Sequence, residues 1–469
     1  MRQIPKEQVL ERIRSENPWW SPPNQVAKPY RDYRRRAYFD ALYALIARTP
    51  VRRAVLLMGP RRVGKTVLLH QVVQALLQDG VAPHRICYVS VDHPILNGCS
   101  LETFLRHYVD AARLPDDDEP SYLIFDEIQY LKGWEVHLKK LVDDEPHMKL
   151  VASGSAAAAL RFKSTESGAG RFTDFMLPPL TFHEYVDLLN QTNLVRSSAA
   201  SQFFAADDID ALNAAFVKYL NFGGYPEVIF SEAIQSDPAR FIKSDIVDKV
   251  LLRDLPGLYG IQDIQELNYL FTTLAFNTAQ EISLEQLSQS SGVAKNTIKR
   301  YIEYLEAAFL IKVVHRIDRS ARRFQRANFF KVYLTNPSIR SALFTPLRSD
   351  DPSMGALTET GIFAQWFHAD YTLHYARWNK EEVDIVALGP EQAPAWALEA
   401  KWSDRAARNP AELKSLVSFA VHNGLTEAVV TTRTVRGSSD YAGLHVDFIP
   451  ASLYCYTIAY NGLRGLDSG

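Results

Sequence analysis

A glycine-rich segment with one lysine and one threonine, GPRRVGKT, occupies residues 59–66. It follows the apolar run AVLLM and precedes the helical pattern TVLLHQVV, so it lies between a predicted strand and a predicted helix. There, backbone N–H groups and the helix N-terminus favour phosphate oxygens, Lys65 adds positive charge, and the Thr66 hydroxyl suits Mg²⁺. The segment therefore predicts a nucleotide phosphate site. Its predicted contact residues are Gly59, Pro60, Arg61, Arg62, Val63, Gly64, Lys65, Thr66 and Val67.

Two carboxylates end a second apolar run, YLIFDE. Asp126 suits Mg²⁺ coordination, and Glu127 suits polarisation of an attacking water. The next apolar run, KLVASGS, ends in Ser153 and Ser155, where a small hydroxyl would hold that water or contact the γ-phosphate. A plain turn explains these serines equally well. We include Ser153 among the predicted nucleotide contacts.

Arg171 precedes the apolar run FMLPPL, in the segment GRF. This chain position suits an arginine that reaches the nucleotide of a neighbouring subunit. An ordinary surface or ion-paired arginine is the alternative interpretation.

A second group of chemically competent residues lies near the C-terminus. Asp384 belongs to the run EVDIVAL, Glu399 and Lys401 belong to AWALEAKW, and Glu359 lies upstream in a helical pattern. Strand alternation places Glu399 and Lys401 on one face, and a hairpin brings Asp384 alongside. The carboxylates Glu359, Asp384 and Glu399 would hold Mg²⁺ or Mn²⁺, and Lys401 would position an attacking water. This pattern resembles the PD-(D/E)xK nuclease core, and an exposed ion-paired sheet face or a fold kept only for binding is the alternative.

Residues 282–317 predict a helix, a short turn, a second helix and a β-branched run, the order of a winged helix-turn-helix. The second predicted helix presents polar and basic residues near its start, of the types that contact phosphates and base edges. These are Lys295, Asn296, Thr297, Lys299 and Arg300. DNA binding and protein docking both remain open for this segment.

The remaining patterns arrange these groups in an α/β chain. Short apolar runs alternate with helical patterns from residue 51 to about residue 184, which predicts a parallel sheet. We predict five segments: an N-terminal extension (1–48), a P-loop ATPase core (49–185), a helical subdomain (186–275), a winged helix (276–320) and a nuclease-like α/β domain (321–469). The basic stretch at residues 31–36 is predicted to be a solvated helix face.

Composition narrows the function classes. The formal net charge is −2, which excludes a strong overall basic bias of the kind that marks nucleic-acid binders. Three widely spaced cysteines argue against a disulfide framework and against a structural zinc site. No apolar run approaches the roughly 18 residues needed to cross a bilayer, and the N-terminus has no signal-peptide pattern. We therefore expect a cytoplasmic protein without membrane contact.

Several motifs together resemble a family of prokaryotic AAA+ ATPases with a C-terminal domain of unknown function of the DUF4143 type. The shared motifs are GPRRVGKT, LIFDEIQ, ASGS followed by GRF, LPPLTFHEY, NFGGYPEV, SDIVDKVLLRD, the winged-helix stretch and EVDIV with LEAKW. The resemblance runs from about residue 38 to about residue 435. One departure is the Ser-Gly-Ser at the end of KLVASGS, where AAA+ motors commonly carry Asn.

The resemblance implies an ATPase that uses ATP and Mg²⁺ and assembles as a ring-like homo-oligomer. Lys65 and Thr66 would bind phosphate and Mg²⁺, Asp126 and Glu127 would serve metal and water, and Arg171 would act on a neighbour's nucleotide. The expected activity is ATP hydrolysis coupled to binding, remodelling or cleavage of branched, single-stranded or duplex DNA. The alternative is a regulatory NTPase switch acting on a protein partner, with an inactive nuclease-like fold or one used only for binding.

Overall fold

The computed structural model describes residues 5–96, 99–115, 117–155, 170–198, 202–322, 328–367 and 372–466. The chain divides into two compact units, Met1–Pro178 and Pro179–Gly469. The predicted boundaries at residues 185, 275 and 320 lie inside the second unit, and the predicted N-terminal extension lies inside the first. The five-segment division therefore stays a prediction.

The first unit contains a five-stranded, fully parallel sheet in the order β2-β3-β4-β1-β5. Its strands are β1 (Ala54–Gly59), β2 (Ile86–Ser90), β3 (Ser121–Asp126), β4 (Met148–Ser155) and β5 (Phe172–Met176). Its helices are α1 (Lys6–Glu16), α2 (Lys28–Asp32), α3 (Phe39–Tyr43), α4 (Lys65–Gln78), α5 (Leu101–Ala112) and α6 (Trp134–Asp144). Strands β1 and β3 are buried along their whole length, which explains why their sequences are continuously apolar.

The last predicted strand of this sheet differs from the observed one. The apolar run FMLPPL covers residues 175–180, but β5 spans Phe172–Met176. The two prolines that follow have no backbone N–H to donate to a neighbouring strand, so they cannot extend the ladder.

The N-terminal segment covers the exposed edge of β2. Asn17 is 1% exposed, and its side chain accepts the Tyr88 N–H at 2.6 Å and donates to the Tyr88 carbonyl at 2.8 Å. The indole N–H groups of Trp19 and Trp20 both donate to the carbonyl of Ile86, at 2.9 and 2.8 Å. These bonds satisfy backbone groups that an edge strand would otherwise leave open.

The second unit begins with helices and turns. These are α7 (Phe182–Leu188), α8 (Ile209–Phe222), α9 (Pro226–Ile229), α10 (Glu232–Ser236), two π-helical stretches (Ala239–Asp248 and Val250–Asp254), α11 (Leu255–Tyr259) and α12 (Ile264–Phe276). Helix α7 begins with a capping box, in which the Thr181 hydroxyl accepts the Glu184 N–H and the Glu184 carboxylate accepts the Thr181 N–H.

A nine-stranded sheet dominates the second unit, in the order β13-β14-β12-β11-β10-β9-β7-β8-β6. Its strands are β6 (Glu281–Ser283), β7 (Ile311–Ile317), β8 (Phe329–Leu334), β9 (Leu373–Trp378), β10 (Glu381–Leu388), β11 (Pro394–Glu399), β12 (Glu427–Thr432), β13 (Gly437–Tyr441) and β14 (Leu444–Pro450). The accompanying helices are α13 (Leu284–Ser291), α14 (Lys295–Ala307), α15 (Ser338–Leu343), α16 (Met354–Trp366), α17 (Arg405–Arg408), α18 (Lys414–His422) and α19 (Ala451–Leu466).

Strands β6 to β8 belong to the same sheet as strands β9 to β14. The link is the parallel pairing of β7 with β9, in which His315 lies opposite His374 and Ile317 lies opposite Ala376. The predicted boundary at residue 320 therefore falls in the connection between two paired strands, β7 and β8. Such pairing between distant segments leaves no trace in local hydrophobic periodicity.

The described part of the chain contains no helix that is long and apolar enough to cross a membrane.

Candidate functional site

The phosphate-binding segment connects β1 to α4. Arg62 and Gly64 adopt positive φ angles of 66° and 97°, which turn the loop before the helix begins at Lys65. A Cβ atom on Gly59 would lie 2.3 Å from the Leu177 carbonyl oxygen, so only glycine fits where this loop leaves the sheet. The Lys65 ammonium is buried and donates to the carbonyls of Gly59 and Pro60, both at 2.9 Å. The Lys65 ammonium thus lies against the backbone carbonyls at the start of its own loop.

Asp126 lies at the end of β3, is 2% exposed, and is hydrogen-bonded to several polar side chains beside this loop. Its carboxylate accepts hydrogen bonds from the Thr66 hydroxyl at 2.7 Å, the Tyr88 hydroxyl at 2.6 Å and the Ser153 hydroxyl. Burial, and then the Asp126 charge, raise the pKa of Tyr88 well above its usual value, which keeps this phenol a donor. A hydroxyl and a carboxylate in direct contact beside a phosphate loop are the oxygen ligands that Mg²⁺ takes. Thr66 and Asp126 therefore fit the predicted metal role.

Glu127 follows in the left-handed region, with φ 57° and ψ 42°. This conformation directs its N–H toward the Asp126 carboxylate at 3.1 Å and the Ser153 hydroxyl at 3.3 Å. Its own carboxylate accepts from the Gln129 side-chain amide. The Gln129 carbonyl in turn accepts the Ser155 N–H at 3.1 Å, so Gln129 links Glu127 to the end of β4.

The two serines predicted at the end of this strand have different surroundings. The Ser153 hydroxyl is engaged with Asp126, whereas the Ser155 hydroxyl is buried and has no hydrogen-bond partner among the described residues. Both lie at the carboxyl end of β4, beside Asp126.

Arg171 lies at the amino-terminal end of β5, whereas the phosphate loop lies at the carboxyl end of β1. The Arg171 carbonyl accepts the N–H of Ala54, the first residue of β1. Phe172 pairs with Ala54, so Arg171 is level with Arg53, and six residue steps of about 3.3 Å separate that level from Gly59 by about 20 Å. The Arg171 side chain is 44% exposed and forms an ion pair with Asp143 at 3.0 Å. It cannot reach the nucleotide site of its own chain.

Sequence reasoning missed three residues of this site: Tyr88, Gln129 and Arg36. Arg36 is buried, contrary to the solvated helix face predicted for residues 31–36, and donates to the carbonyls of Val63 at 3.1 Å and Pro178 at 2.8 Å. It therefore supports the phosphate loop from the N-terminal segment. No local pattern distinguishes it from its exposed neighbours.

The second unit brings Asp384, Glu399 and Lys401 together, on β10 and at the end of β11. The Asp384 carboxylate accepts the Ala400 N–H at 2.9 Å. The Lys401 ammonium lies 2.7 Å from Glu399 Oε1 and 3.6 Å from Asp384 Oδ2. Glu399 Oε2 is buried and has no hydrogen-bond partner in the described structure.

A second lysine, which sequence reasoning missed, lies on the other side of Asp384. Lys331 on β8 is 2% exposed, and its ammonium lies 2.6 Å from Glu382, 3.0 Å from Glu359 and 3.7 Å from Asp384. Glu359 also accepts a hydrogen bond from the Tyr333 hydroxyl at 2.5 Å. We call these residues, with Glu399 and Lys401, the carboxylate cluster.

The predicted metal ligands Glu359, Asp384 and Glu399 are thus neighbours, but each faces an ammonium group. Across the described residues, no group of three or more His, Cys, Asp and Glu side chains is arranged to hold a metal ion. In the carboxylate cluster, the ammonium groups of Lys331 and Lys401 lie beside these carboxylates. A metal role for these carboxylates stays a prediction.

Burial shifts the protonation of the carboxylate cluster. It raises the pKa of Glu359 to about 7, although the Lys331 charge opposes this shift. Burial and the Asp384 charge raise the pKa of Glu399 to about 8. Asp384 is also buried, but Lys401 and Lys331 outweigh that effect and hold its pKa below the ordinary value. The charged form of Asp384 is therefore favoured, whereas Glu359 and Glu399 bind protons near neutral pH.

The predicted helix-turn-helix residues lie on one exposed surface. Helices α12, α13 and α14 alternate with the strands β6, β7 and β8 in the chain order helix, strand, helix, helix, strand, strand. At the start of α14, Lys295, Asn296, Lys299 and Arg300 are exposed and Thr297 is half-buried. Lys295 forms an ion pair with Glu285.

Comparison with known protein families gives matches for two segments of the chain. Residues 51–186 match the family described as "AAA domain", and residues 213–351 match a domain of unknown function, DUF8612. A protein of Haemophilus influenzae described as uncharacterized is 25% identical over 343 residues, which cover 70% of this chain and 78% of that protein.

Two solved structures are also similar. The Aeropyrum pernix ORC1 protein, in complex with DNA, is 16% identical with a TM-score of 0.32 over 72% of this chain and 97% of that chain. The Aeropyrum pernix ORC2 protein, in ADPNP–ADP complexes, is 14% identical with a TM-score of 0.38 over 69% of this chain and 95% of that chain. The family match establishes an AAA domain at residues 51–186.

Proposed function

We propose that this chain uses its AAA domain to bind and hydrolyse ATP with Mg²⁺, and that it couples this reaction to DNA binding or remodelling. The observation that carries the ATPase proposal is the 2.7 Å hydrogen bond between Thr66 and Asp126 beside the phosphate loop. It joins the two elements whose residues bind phosphate and metal in this class of site. A chance glycine-rich turn would not require this contact.

The residues of the first unit have distinct roles in this proposal. Lys65 would exchange its two loop carbonyls for phosphate oxygens, and the backbone N–H groups of residues 62–66 would surround them. Mg²⁺, held by Thr66 and Asp126, would neutralise charge on the phosphates. Glu127 would orient a water and accept its proton, because Gln129 holds its carboxylate beside the end of β4.

The ATPase proposal is tested by Glu127→Gln. We expect the variant to bind ATP with unchanged affinity and to lose at least about 100-fold in turnover, because general-base catalysis contributes about that much. The measurements are steady-state phosphate release and equilibrium binding of a fluorescent ATP analogue. Glu11→Gln, an exposed glutamate on α1, is the matched control and should leave both unchanged. Normal turnover in Glu127→Gln would refute the assignment of the base.

The DNA proposal is supported by the exposed start of α14. A helix that follows a short turn and presents exposed Lys299 and Arg300 near its N-terminus suits phosphate and base-edge contacts. We expect DNA to stimulate ATP turnover, and we expect Lys299→Gln with Arg300→Gln to weaken DNA binding and that stimulation. Lys243→Gln, an exposed lysine of the same unit, is the control. Single-stranded, duplex and four-way-junction DNA should be compared, and stimulation by none of them would refute DNA coupling.

We also propose that the active form is a homo-oligomer in which Arg171 acts on a neighbouring subunit's nucleotide. The distance of about 20 Å from its own phosphate loop supports this arrangement. Sedimentation with and without ATP would test it. A protein that stays monomeric at saturating ATP and still hydrolyses ATP at the full rate would exclude it.

A second candidate is favoured by the carboxylate cluster. Because Lys331 and Lys401 compensate its acids, the nuclease-like fold would serve binding, and ATP would drive a switch that acts on DNA or on a protein partner. DNA incubated with the protein and Mg²⁺ or Mn²⁺ should then stay intact. Breaks that disappear in Asp384→Ala and in Lys401→Ala would instead establish a cleaving site.

A further inference from the structure

A surface pocket of about 410 Å³ opens in the second unit, lined by residues that follow Lys401 in the chain and by Arg433. It lies at the carboxyl ends of β11 and β12, which are parallel neighbours. Ligands of α/β sheets commonly bind at such ends. Three arginines line it, Arg405, Arg408 and Arg433, together with Trp402, Asp404 and Asn409.

Asp404 builds the frame of this pocket. Its carboxylate accepts the backbone N–H groups of Arg433 at 3.0 Å, Thr434 at 2.8 Å and Val435 at 3.1 Å, and also the Thr434 hydroxyl at 2.8 Å. These four bonds tie the loop after β12 to the segment after β11. The Asp404 carboxylate is therefore occupied by these hydrogen bonds and forms no ion pair with the described arginine side chains of the pocket.

The arginine side chains are differently engaged. Arg405 forms an ion pair with Glu412 at 2.7 Å. Arg433 donates to the Ser349 hydroxyl at 2.9 Å and lies 5.8 Å from the centre of the Trp402 ring, so neutral groups position it. Arg408 is exposed, and among the described residues neither it nor Arg433 has a carboxylate partner.

Two guanidinium groups without carboxylates facing one pocket suit an oxyanion with paired oxygens, because the guanidinium fork matches phosphate geometry. The chain geometry also connects this pocket to the carboxylate cluster. Trp402 follows Glu399 by three residues, which spans about 10 Å in extended chain. Lys401 lies between them, with its N–H and carbonyl both bonded to the Thr431 hydroxyl, at 2.7 and 2.9 Å.

We propose that the pocket of Trp402, Arg408 and Arg433 binds a phosphate group, supplied by a nucleic-acid backbone that passes the carboxylate cluster. The choice of a polynucleotide rests on the DNA binding proposed above. The same chemistry would accept a free phosphate compound, so the experiment separates these two sources.

The test compares Arg408→Gln and Arg433→Gln with Arg240→Gln, an exposed arginine of the same unit outside the pocket. The first probe is a fluorescein-labelled oligonucleotide, single-stranded or duplex, titrated by anisotropy in EDTA at several salt concentrations. The second probe is inorganic tripolyphosphate, titrated calorimetrically with the P-loop saturated by ADP. Arg408 has no partner in the described structure, so its replacement leaves the frame intact.

Each pocket variant should bind the oligonucleotide about tenfold more weakly, the loss expected for one charge-assisted hydrogen bond. The slope of log affinity against log salt should fall by about 0.9 for duplex or about 0.7 for single strands, the value of one phosphate contact. The control should match the parent protein in both quantities.

Three other results have distinct meanings. If the parent protein binds oligonucleotides and both pocket variants bind them equally well, the pocket proposal is wrong while DNA binding stands. If the parent protein binds tripolyphosphate but no oligonucleotide, and the variants lose that binding, the phosphate pocket stands and the proposed DNA function fails. If neither probe distinguishes the variants from the parent, the pocket holds no phosphate.

Discussion

Glu359 is one of two buried carboxyl groups in the second unit whose raised pKa makes stability depend on pH. Its pKa is about 7 in the folded chain against an ordinary 4.5, so the folded chain binds this proton more tightly than the unfolded chain does. The stabilising contribution is complete below pH 4.5 and is lost as the pH rises to about 7. At about 1.4 kcal/mol per pH unit, the loss is about 3 kcal/mol.

Glu359→Gln removes this titration and keeps the shape of the side chain. The Tyr333 hydroxyl still has an oxygen to donate to, and Lys331 keeps Glu382 at 2.6 Å as its partner. Between about pH 5 and about pH 7.5, we therefore expect the parent protein to lose about 2.5 kcal/mol more stability than the variant. Asp384 does not interfere, because its lowered pKa affects stability only below its ordinary 3.8.

The assay is hydrogen exchange along a urea series at about pH 5 and about pH 7.5. Peptides that cover β8 and β10 report the stability of these two strands. Glu391→Gln, an exposed glutamate, is the control and should follow the parent protein. Glu399 titrates in the same direction in every variant, so some pH dependence will persist. Equal pH-dependent losses in the parent protein and in Glu359→Gln would refute the assignment of this titration to Glu359.

Two further predictions concern the first unit. Asn17→Ala should destabilise the first unit by about 3 kcal/mol, because three buried hydrogen bonds worth about 1 kcal/mol each are lost, two of them to the backbone of Tyr88. Faster hydrogen exchange of the β2 amides would show this loss, and unchanged exchange would contradict it. Arg171→Ala should lower ATP turnover in the assembled protein without weakening nucleotide binding, because this arginine lies far from the phosphate loop of its own chain. A large loss of nucleotide affinity in a binding titration would instead place Arg171 at the phosphate loop of its own chain.

Local sequence patterns were sufficient for the parts of the site that are continuous in the chain. The strand-loop-helix around Lys65 and the strand that ends in Asp126 were predicted from apolar runs and their terminal residues, and the structure has both elements there. The helix-strand-strand-strand-helix-strand order around Asp384 was predicted in the same way, and helices α16 and α18 with strands β9 to β12 follow that order. These patterns work because burial of a strand or helix face selects residues at short, regular spacing.

The groups that complete each site come from distant segments. Tyr88 reaches Asp126 from the neighbouring strand β2, and Lys331 reaches Glu359 and Asp384 from β8. Lys331 lies inside the predicted nuclease-like domain, but no motif marked it as part of the site. Arg36 was read as part of a solvated basic run, but it is buried against the phosphate loop.

The sequence by itself thus determined the phosphate loop, the acidic strand end and the order of secondary structure, because each depends on residues within a few positions of one another. The tertiary structure alone decided that two lysines compensate the carboxylate cluster and that β7 pairs with β9 in a single sheet. Both depend on which strands become neighbours. That choice follows from side-chain packing and backbone hydrogen bonding between distant segments, and local periodicity does not record it.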